Sequence, residues 1–427
     1  MPVVADFTTA AGVPPPFAHP DTLFDLGLKE SLVSDVFLKH ALAAGSNTLR
    51  QISHSLKLAI THAEYVFHLL KAQQLIEVRG TYGDDYSFSL SAAGKKVALE
   101  RMAISPYAGP LPVPLANYEL AVRSQVARTR VTREVLARAF NDLSLAPDLI
   151  SRLGPALVSR SSMFLYGPSG TGKSSLAERL LRVFDDAVAI PWAVEVEGNI
   201  ITVFDSSVHK PIENPRSDYD PRWQLCARPS IIVGGELVPA MLELQRNPES
   251  GAFIAPLHMK ANNGMFVIDD FGRQMISPRD LLNRWIVPLD RRIDYLSTAA
   301  GVKFPIPFEA FVVFSTNLDP ADLADEAFLR RIHNKIFIDA IDAPVFDDIV
   351  VRRIDSCGWR VEPGAVEHLR LTCAGRGGDL RPCYPRDIFR IIESTAGFEE
   401  REPMLSRADI DRAAESYFIG TTAARHH

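Results

Sequence analysis

The run Gly167-Pro168-Ser169-Gly170-Thr171-Gly172-Lys173-Ser174 limits what this chain can fold into more than any other stretch. Ahead of it, Ser162-Met163-Phe164-Leu165-Tyr166 reads as a short buried strand, and behind it Ser174 to Leu181 has helical periodicity. Glycines between a strand and a helix let the backbone curl so that successive N–H groups point inward, and the helix N-terminus adds its positive end. Such a loop suits a polyphosphate. Lys173 is expected to reach the terminal phosphates, Ser174 to offer its hydroxyl to Mg²⁺, and Ser175 to continue the cradle. The expected ligands are ATP and Mg²⁺, held by residues 167–175, and the expected fold around them is α/β with a parallel sheet.

Composition narrows the setting. At 427 residues the chain is long enough for two or three domains, and 47% hydrophobic with 23% charged residues describes a globular protein. A formal net charge of −6 argues against a generally basic nucleic-acid binder, although a local patch can hide in that sum. Cys226, Cys357, Cys373 and Cys383 show neither C-x-x-C spacing nor a paired His motif, so reduced thiols are expected. Asp6 and the prolines that follow do not make a secretion signal, and no apolar run approaches the ~20 residues of a membrane span. A cytoplasmic protein without membrane insertion is the expectation.

The pattern divides the chain into five parts. Residues 1–20, with Pro14-Pro15-Pro16, read as a loose tail. Residues 21–105 carry three apolar helical stripes and then two alternating strands, Leu75 to Arg79 and Tyr86 to Leu90, around a turn. Thr61 is the expected N-cap of the third helix. Three helices and a two-stranded wing resemble a winged helix-turn-helix domain (α+β). Prolines 106, 110, 112 and 114 mark residues 106–130 as a semi-rigid linker. Residues 131–340 alternate apolar strands with amphipathic helices, and 341–427 are helical by pattern, which suits a C-terminal helical lid.

A second motif answers the glycine loop. Met265-Phe266-Val267-Ile268 is all apolar and ends in Asp269-Asp270, as expected of a buried central strand delivering acids at its C-terminal end. Asp269 is expected to hold Mg²⁺, and Asp270 to orient or deprotonate the attacking water.

Together these motifs resemble the AAA+ ATPases over about residues 130 to 420. The resemblance implies roles for three further segments. In Phe311-Val312-Val313-Phe314-Ser315-Thr316-Asn317, Asn317 would bond the γ-phosphate or the lytic water. In Ala327-Phe328-Leu329-Arg330-Arg331-Ile332, Arg330 or Arg331 would be the finger that completes a neighbouring subunit's site. In Pro385-Arg386-Asp387-Ile388, Arg386 would reach the γ-phosphate from the lid. It also implies self-association into a ring, a hexamer. A hairpin over Arg291 to Phe304, just before the asparagine strand, is similar to the branch that holds MoxR-type chaperones and enhancer-binding activators. One departure is Asp270, where most members carry Glu.

Two segments remain outside that resemblance. Val194 to Val203 reads as another hairpin, and His209 to Arg222, rich in prolines and charges, as a surface excursion. On the third front helix the polar positions are His62, Glu64, Tyr65, His68 and Lys71, a poor set for neutralising phosphates. Lys71, Arg79, Lys95 and Lys96 are basic, but Asp84 and Asp85 sit at the expected wing tip. The pattern admits two functions. In one, a ring-forming remodeller or chaperone-like ATPase recruits a protein client through the front domain. In the alternative, a DNA-associated regulator or loader uses ATP as an assembly switch.

Overall fold

The computed structural model describes residues 16–45, 47–82, 85–126, 131–213, 219–298, 301–323 and 326–418. The chain is a mixed α/β structure around a five-stranded parallel sheet. In spatial order the strands are Ser230–Val233, Met265–Ile268, Phe311–Thr316, Met163–Tyr166 and Asn334–Phe337. Helices cover both faces, which is why the central strands are apolar throughout rather than alternating. Met163, Leu165, Met265, Val267 and Val313 pack on one face under the helices Arg133–Ala139, Pro147–Ser159 and Lys173–Leu180. Phe164, Phe266, Ile268 and Phe314 pack on the other, where Trp285 of the helix Pro278–Arg291 meets Phe266 edge-on. Strand order decides which loops can meet. The asparagine strand Phe311–Thr316 lies between the loop strand and the acid strand, in register Phe314↔Phe164 and Phe314↔Ile268. Three C-terminal strand ends therefore open on the same edge.

At the front, helices Glu30–Ala44, Leu49–Leu56 and Ile60–Ala72 precede the antiparallel strands Ile76–Tyr82 and Asp85–Leu90, and Asn47–Thr48 adds a third short strand. Phe37, Phe67 and Phe88 form the centre of this unit's core. The third helix starts two residues earlier than its sequence suggests. Ala59 is the N-cap, without a side-chain bond, so Thr61 does not cap it. His62 is buried against His19, not displayed for a partner, because the helix packs that side onto the N-terminal segment. Asp85 does not simply repel anions at a wing tip. Its carboxylate accepts the backbone N–H groups of Leu49 and Arg50 and so caps the second helix. Asp84 lies outside the described residues.

The described residues 106–126 do not form a free spacer. Val113–Pro114 pairs with Val194–Glu195, and the helix Leu115–Ser124 buries Tyr118, Ala121 and Val122. Apolar residues placed among the prolines give this stretch a surface worth burying. Asn262 donates to the Tyr118 hydroxyl at 2.8 Å and Asn263 to the Val122 carbonyl at 2.7 Å, which ties it to the sheet. The described end of the tail, from residue 16, is anchored as well: Phe17 is buried, stacks on Tyr219 and meets Trp223 edge-on.

The stretch from His209 to Arg222 is likewise no excursion at its described ends. His209 and Arg222 are buried, and residues 214–218 lie outside the description. Arg222 bonds the Asp220 carboxylate at 2.8 Å and donates to the carbonyls of Leu26 and Pro112 at 3.0 and 3.1 Å. A guanidinium enters a core only when its donors are satisfied, and here they pin the front unit to the connector and the α/β body.

Beyond the sheet, helices Ala343–Cys357, Ala365–Gly377, Cys383–Phe398 and Arg407–Tyr417 make a separate core around Phe346, Leu369, Phe389 and Ile410. The hairpin expected before the asparagine strand is present as Ile293–Ser297 paired with Lys303–Pro307. Its base is fixed by Asp294, with His258 Nε2 at 2.7 Å and the Arg284 guanidinium bonded to both carboxylate oxygens. Burial alone would raise that carboxyl, but these bonds hold it down to about 2. Among the described residues no helix is long and apolar enough to cross a membrane.

Candidate nucleotide-binding site

The open edge of the sheet and the C-terminal helices enclose a cleft of about 600 Å³. Its floor is the glycine loop. Gly170 and Gly172 have φ of +80° and +90°, conformations that favour residues without a Cβ. At Gly167 a Cβ would lie 2.3 Å from the Ile338 carbonyl, so the loop leaves its strand where no side chain fits. Thr171 braces the turn by donating to the Pro168 carbonyl at 3.0 Å. The helix Lys173–Leu180 then begins with its N-terminus at the cleft.

Lys173 is buried and donates to the carbonyls of Gly167 and Pro168 at 2.8 and 2.7 Å. Burial lowers its pKa, the charges of Asp269 and Asp270 act against that, and Arg381 adds to the lowering. The ammonium is therefore held inside the loop by carbonyl oxygens that an anionic oxygen can outcompete. The Ser174 hydroxyl is exposed beside it.

The acid pair stands opposite. Asp269 ends its strand, and its carboxylate accepts the backbone N–H of Asp270 at 3.1 Å. Asp270 has φ of +48°, a left-handed conformation that costs energy in a residue with a Cβ. Gln274 supports the strained turn, donating to the carbonyls of Asp269 and Asp270 at 2.9 and 3.2 Å. Asn317 reaches across from the middle strand and donates to Asp270 Oδ1 at 3.3 Å. Loop, acids and amide thus border one cleft.

The arginines separate. Arg386 lines the cleft but is exposed and bonded to Asp387. Arg330 is exposed and paired with Glu326 at 2.6 Å, and neither it nor the half-buried Arg331 lines the cleft. Sequence reasoning missed Arg381. Its guanidinium donates to the Ser169 carbonyl at 3.0 Å, so it touches the loop directly, while Asp379 holds its other edge. Its only signal in the sequence is its place five residues before Arg386 and beside Pro382. Also missed was the apolar end of the cleft, where Leu145, Leu149, Ile338 and Ile349 offer a surface suited to a flat ring. These positions come from three separate segments and share no local motif.

The donor set fits ATP and Mg²⁺. The cradle accepts no side chain at Gly167, its lysine is buried, and one hydroxyl and one carboxylate, Ser174 and Asp269, border the same space.

Comparison with known proteins adds little to this geometry. Residues 343–416 match a family described as a domain of unknown function, DUF8689. No curated protein matches the chain. Among solved structures it is similar to the RuvB Holliday junction branch migration motor of Thermotoga maritima. That similarity has 14% identity over 63% of this chain and 67% of that one, with a TM-score of 0.36. It is also similar to NtrX from Brucella abortus, solved in complex with ADP, at 9% identity over 81% of this chain and 59% of that one, with a TM-score of 0.38.

Proposed function

We propose that this chain is an AAA+-type ATPase that binds ATP with Mg²⁺ in the cleft and hydrolyses it. Its copies assemble into a ring, a hexamer, and its winged-helix front unit recruits a protein client. The observation that carries the reading is the meeting of three strand ends: the glycine loop with buried Lys173, the acid pair, and Asn317 bonded to Asp270.

Each residue has a task that derives from its position. Lys173 exchanges two backbone carbonyls for phosphate oxygens, gaining a charged partner for a charge it already carries at a desolvation cost. Asp270, aimed by its left-handed backbone and by Asn317, orients the attacking water and accepts its proton. Ser174 and Asp269 would hold Mg²⁺, which when bound neutralises part of the phosphate charge. Arg381 and Arg386 bring positive charge from the C-terminal helices as those helices close on the loop. Arg330 or Arg331, both outside the cleft of their own chain, acts on the neighbouring copy.

The test is steady-state ATP turnover measured over a range of protein concentrations. A specific activity that rises with concentration is expected of shared sites, and Arg330→Ala or Arg331→Ala should then bind ATP yet fail to turn it over. Concentration-independent turnover, unaffected in both variants, would overturn the shared site. Absence of turnover at any concentration would overturn the ATPase.

A further inference from the structure

A second cleft, of about 630 Å³, lies between the front unit and the α/β body, away from the nucleotide site. One wall is the helix Leu49–Leu56 and its exit, which present Arg50, His54 and Lys57. The other wall holds Trp192 and Trp223, which flank the antiparallel ribbon of Ala187–Pro191 with Trp223–Ala227. No carboxylate lines it among the described residues. Nor do the side chains of Arg50, His54 and Lys57 form a hydrogen bond or ion pair there among the described residues. Elsewhere arginines are mostly engaged, as in the pairs Arg79–Glu77, Arg101–Asp35 and Arg352–Asp348. In a chain with six more acidic than basic residues, an unneutralised cluster of this kind is unusual.

Lys57 gives the strongest hint. It closes its helix with φ of +53°, at the position glycine usually takes, and its ammonium stands 4.9 Å from the centroid of the Trp192 ring. Burial lowers its pKa. A lysine is thus kept in a strained conformation, partly desolvated, over an indole. Phe204 supports that indole at 4.5 Å.

A peptide could enter such a wall by strand addition, but both ribbon edges are already used. On one side Ile212 donates to the Leu225 carbonyl and Ala227 to the Lys210 carbonyl. On the other, Gln125 exchanges two bonds with the backbone of Ala189. What remains is the half-buried Trp192 indole, capped by the long, movable side chain of Lys57 and flanked by Arg50 and His54. We propose that this cleft binds a single-stranded nucleic acid: Lys57 leaves the Trp192 ring for a phosphate, one base stacks on the indole in its place, and Arg50 and His54 take the adjoining phosphates. The inference stands apart from ATP hydrolysis and would survive its failure.

The experiment uses the full chain without ATP and follows the fluorescence anisotropy of a labelled oligodeoxythymidine of about twelve nucleotides. Saturable binding is expected, weakening about sevenfold between roughly 50 and 200 mM salt, as two phosphates neutralised by Arg50 and Lys57 on a single strand require. Trp192→Ala should weaken binding about tenfold without changing the salt slope, and Trp192→Phe should restore most of it. Arg50→Ala should weaken binding and flatten the slope. Lys57→Gly separates function from folding. Glycine relieves the left-handed strain, so the melting temperature should hold or rise while affinity falls. Undetectable binding at low salt overturns the proposal, as does binding indifferent to all these substitutions. Two competitors give the remaining outcomes. Displacement by free thymidine monophosphate at matched phosphate concentration would mean a mononucleotide site. Displacement by polyaspartate, lost in the same variants, would mean an acidic peptide. Either result overturns the strand.

Discussion

The two clefts are nearly equal in volume, about 600 and 630 Å³, and are built by opposite means. The cleft proposed for ATP is made by backbone. Three adjacent strands end there, a glycine loop supplies N–H groups, and its lysine faces two carboxylates. The front cleft is made by side chains from two units that meet only because the chain folds back, and its charges are all of one sign. The first is a place prepared for one geometry. The second is prepared for a kind of charge and a flat ring, and is tolerant of the rest. A backbone site commits to its ligand through its shape, whereas a side-chain site commits through electrostatics, which salt can weaken.

That contrast can be broken by a double dissociation. Lys173→Ala should abolish ATP binding in isothermal titration while leaving oligonucleotide affinity unchanged; a parallel loss at both clefts would mean that they are one system. Asp270→Asn, next in size, should keep ATP affinity but lower turnover by roughly a hundredfold or more in a steady-state assay. Arg222→Ala tests whether the front cleft depends on docking. Removing one member of a buried pair costs about 3–5 kcal/mol, read as a lower denaturation midpoint. Oligonucleotide binding should fall with it, and Lys173-dependent ATP binding should persist in whatever remains folded. Arg381→Ala is the mildest: it removes one exposed-edge contact to Ser169 and should raise the ATP dissociation constant about fivefold, the scale of one ordinary hydrogen bond. An effect as large as that of Lys173→Ala would make Arg381 a primary ligand.

The same contrast explains what can be read from the sequence. Residues 167–175, the acid pair and Asn317 are legible because each sits on a short contiguous motif whose strand context is local. Their convergence needs only a parallel sheet with strands ending together. Arg381 is overshadowed by Arg386, since neither helix start nor loop contact is encoded near it. The apolar residues at the far end of the cleft proposed for ATP, Leu145, Leu149 and Ile349, look like ordinary core positions. The departures at 106–126 and at the described ends of 209–222 have one cause. Proline and charge ordinarily mark solvent, but Val113, Tyr118 and Arg222 are buried because partners far along the chain satisfy them. No local pattern records a partner more than a hundred residues away.

The middle position of the asparagine strand has one more consequence. Phe311–Thr316 is hydrogen-bonded along both edges, so Asn317 stands one strand spacing, about 4.8 Å, from each neighbouring strand end. That ruler is made of peptide groups and is the same whatever side chains fill the layers above and below. Trimming Val313 or Phe266 would lower the melting point yet leave the ruler intact. Durability and chemistry can therefore drift independently in this protein: the one is set by volume in the layers, the other by a distance that no core substitution can lengthen without parting the sheet.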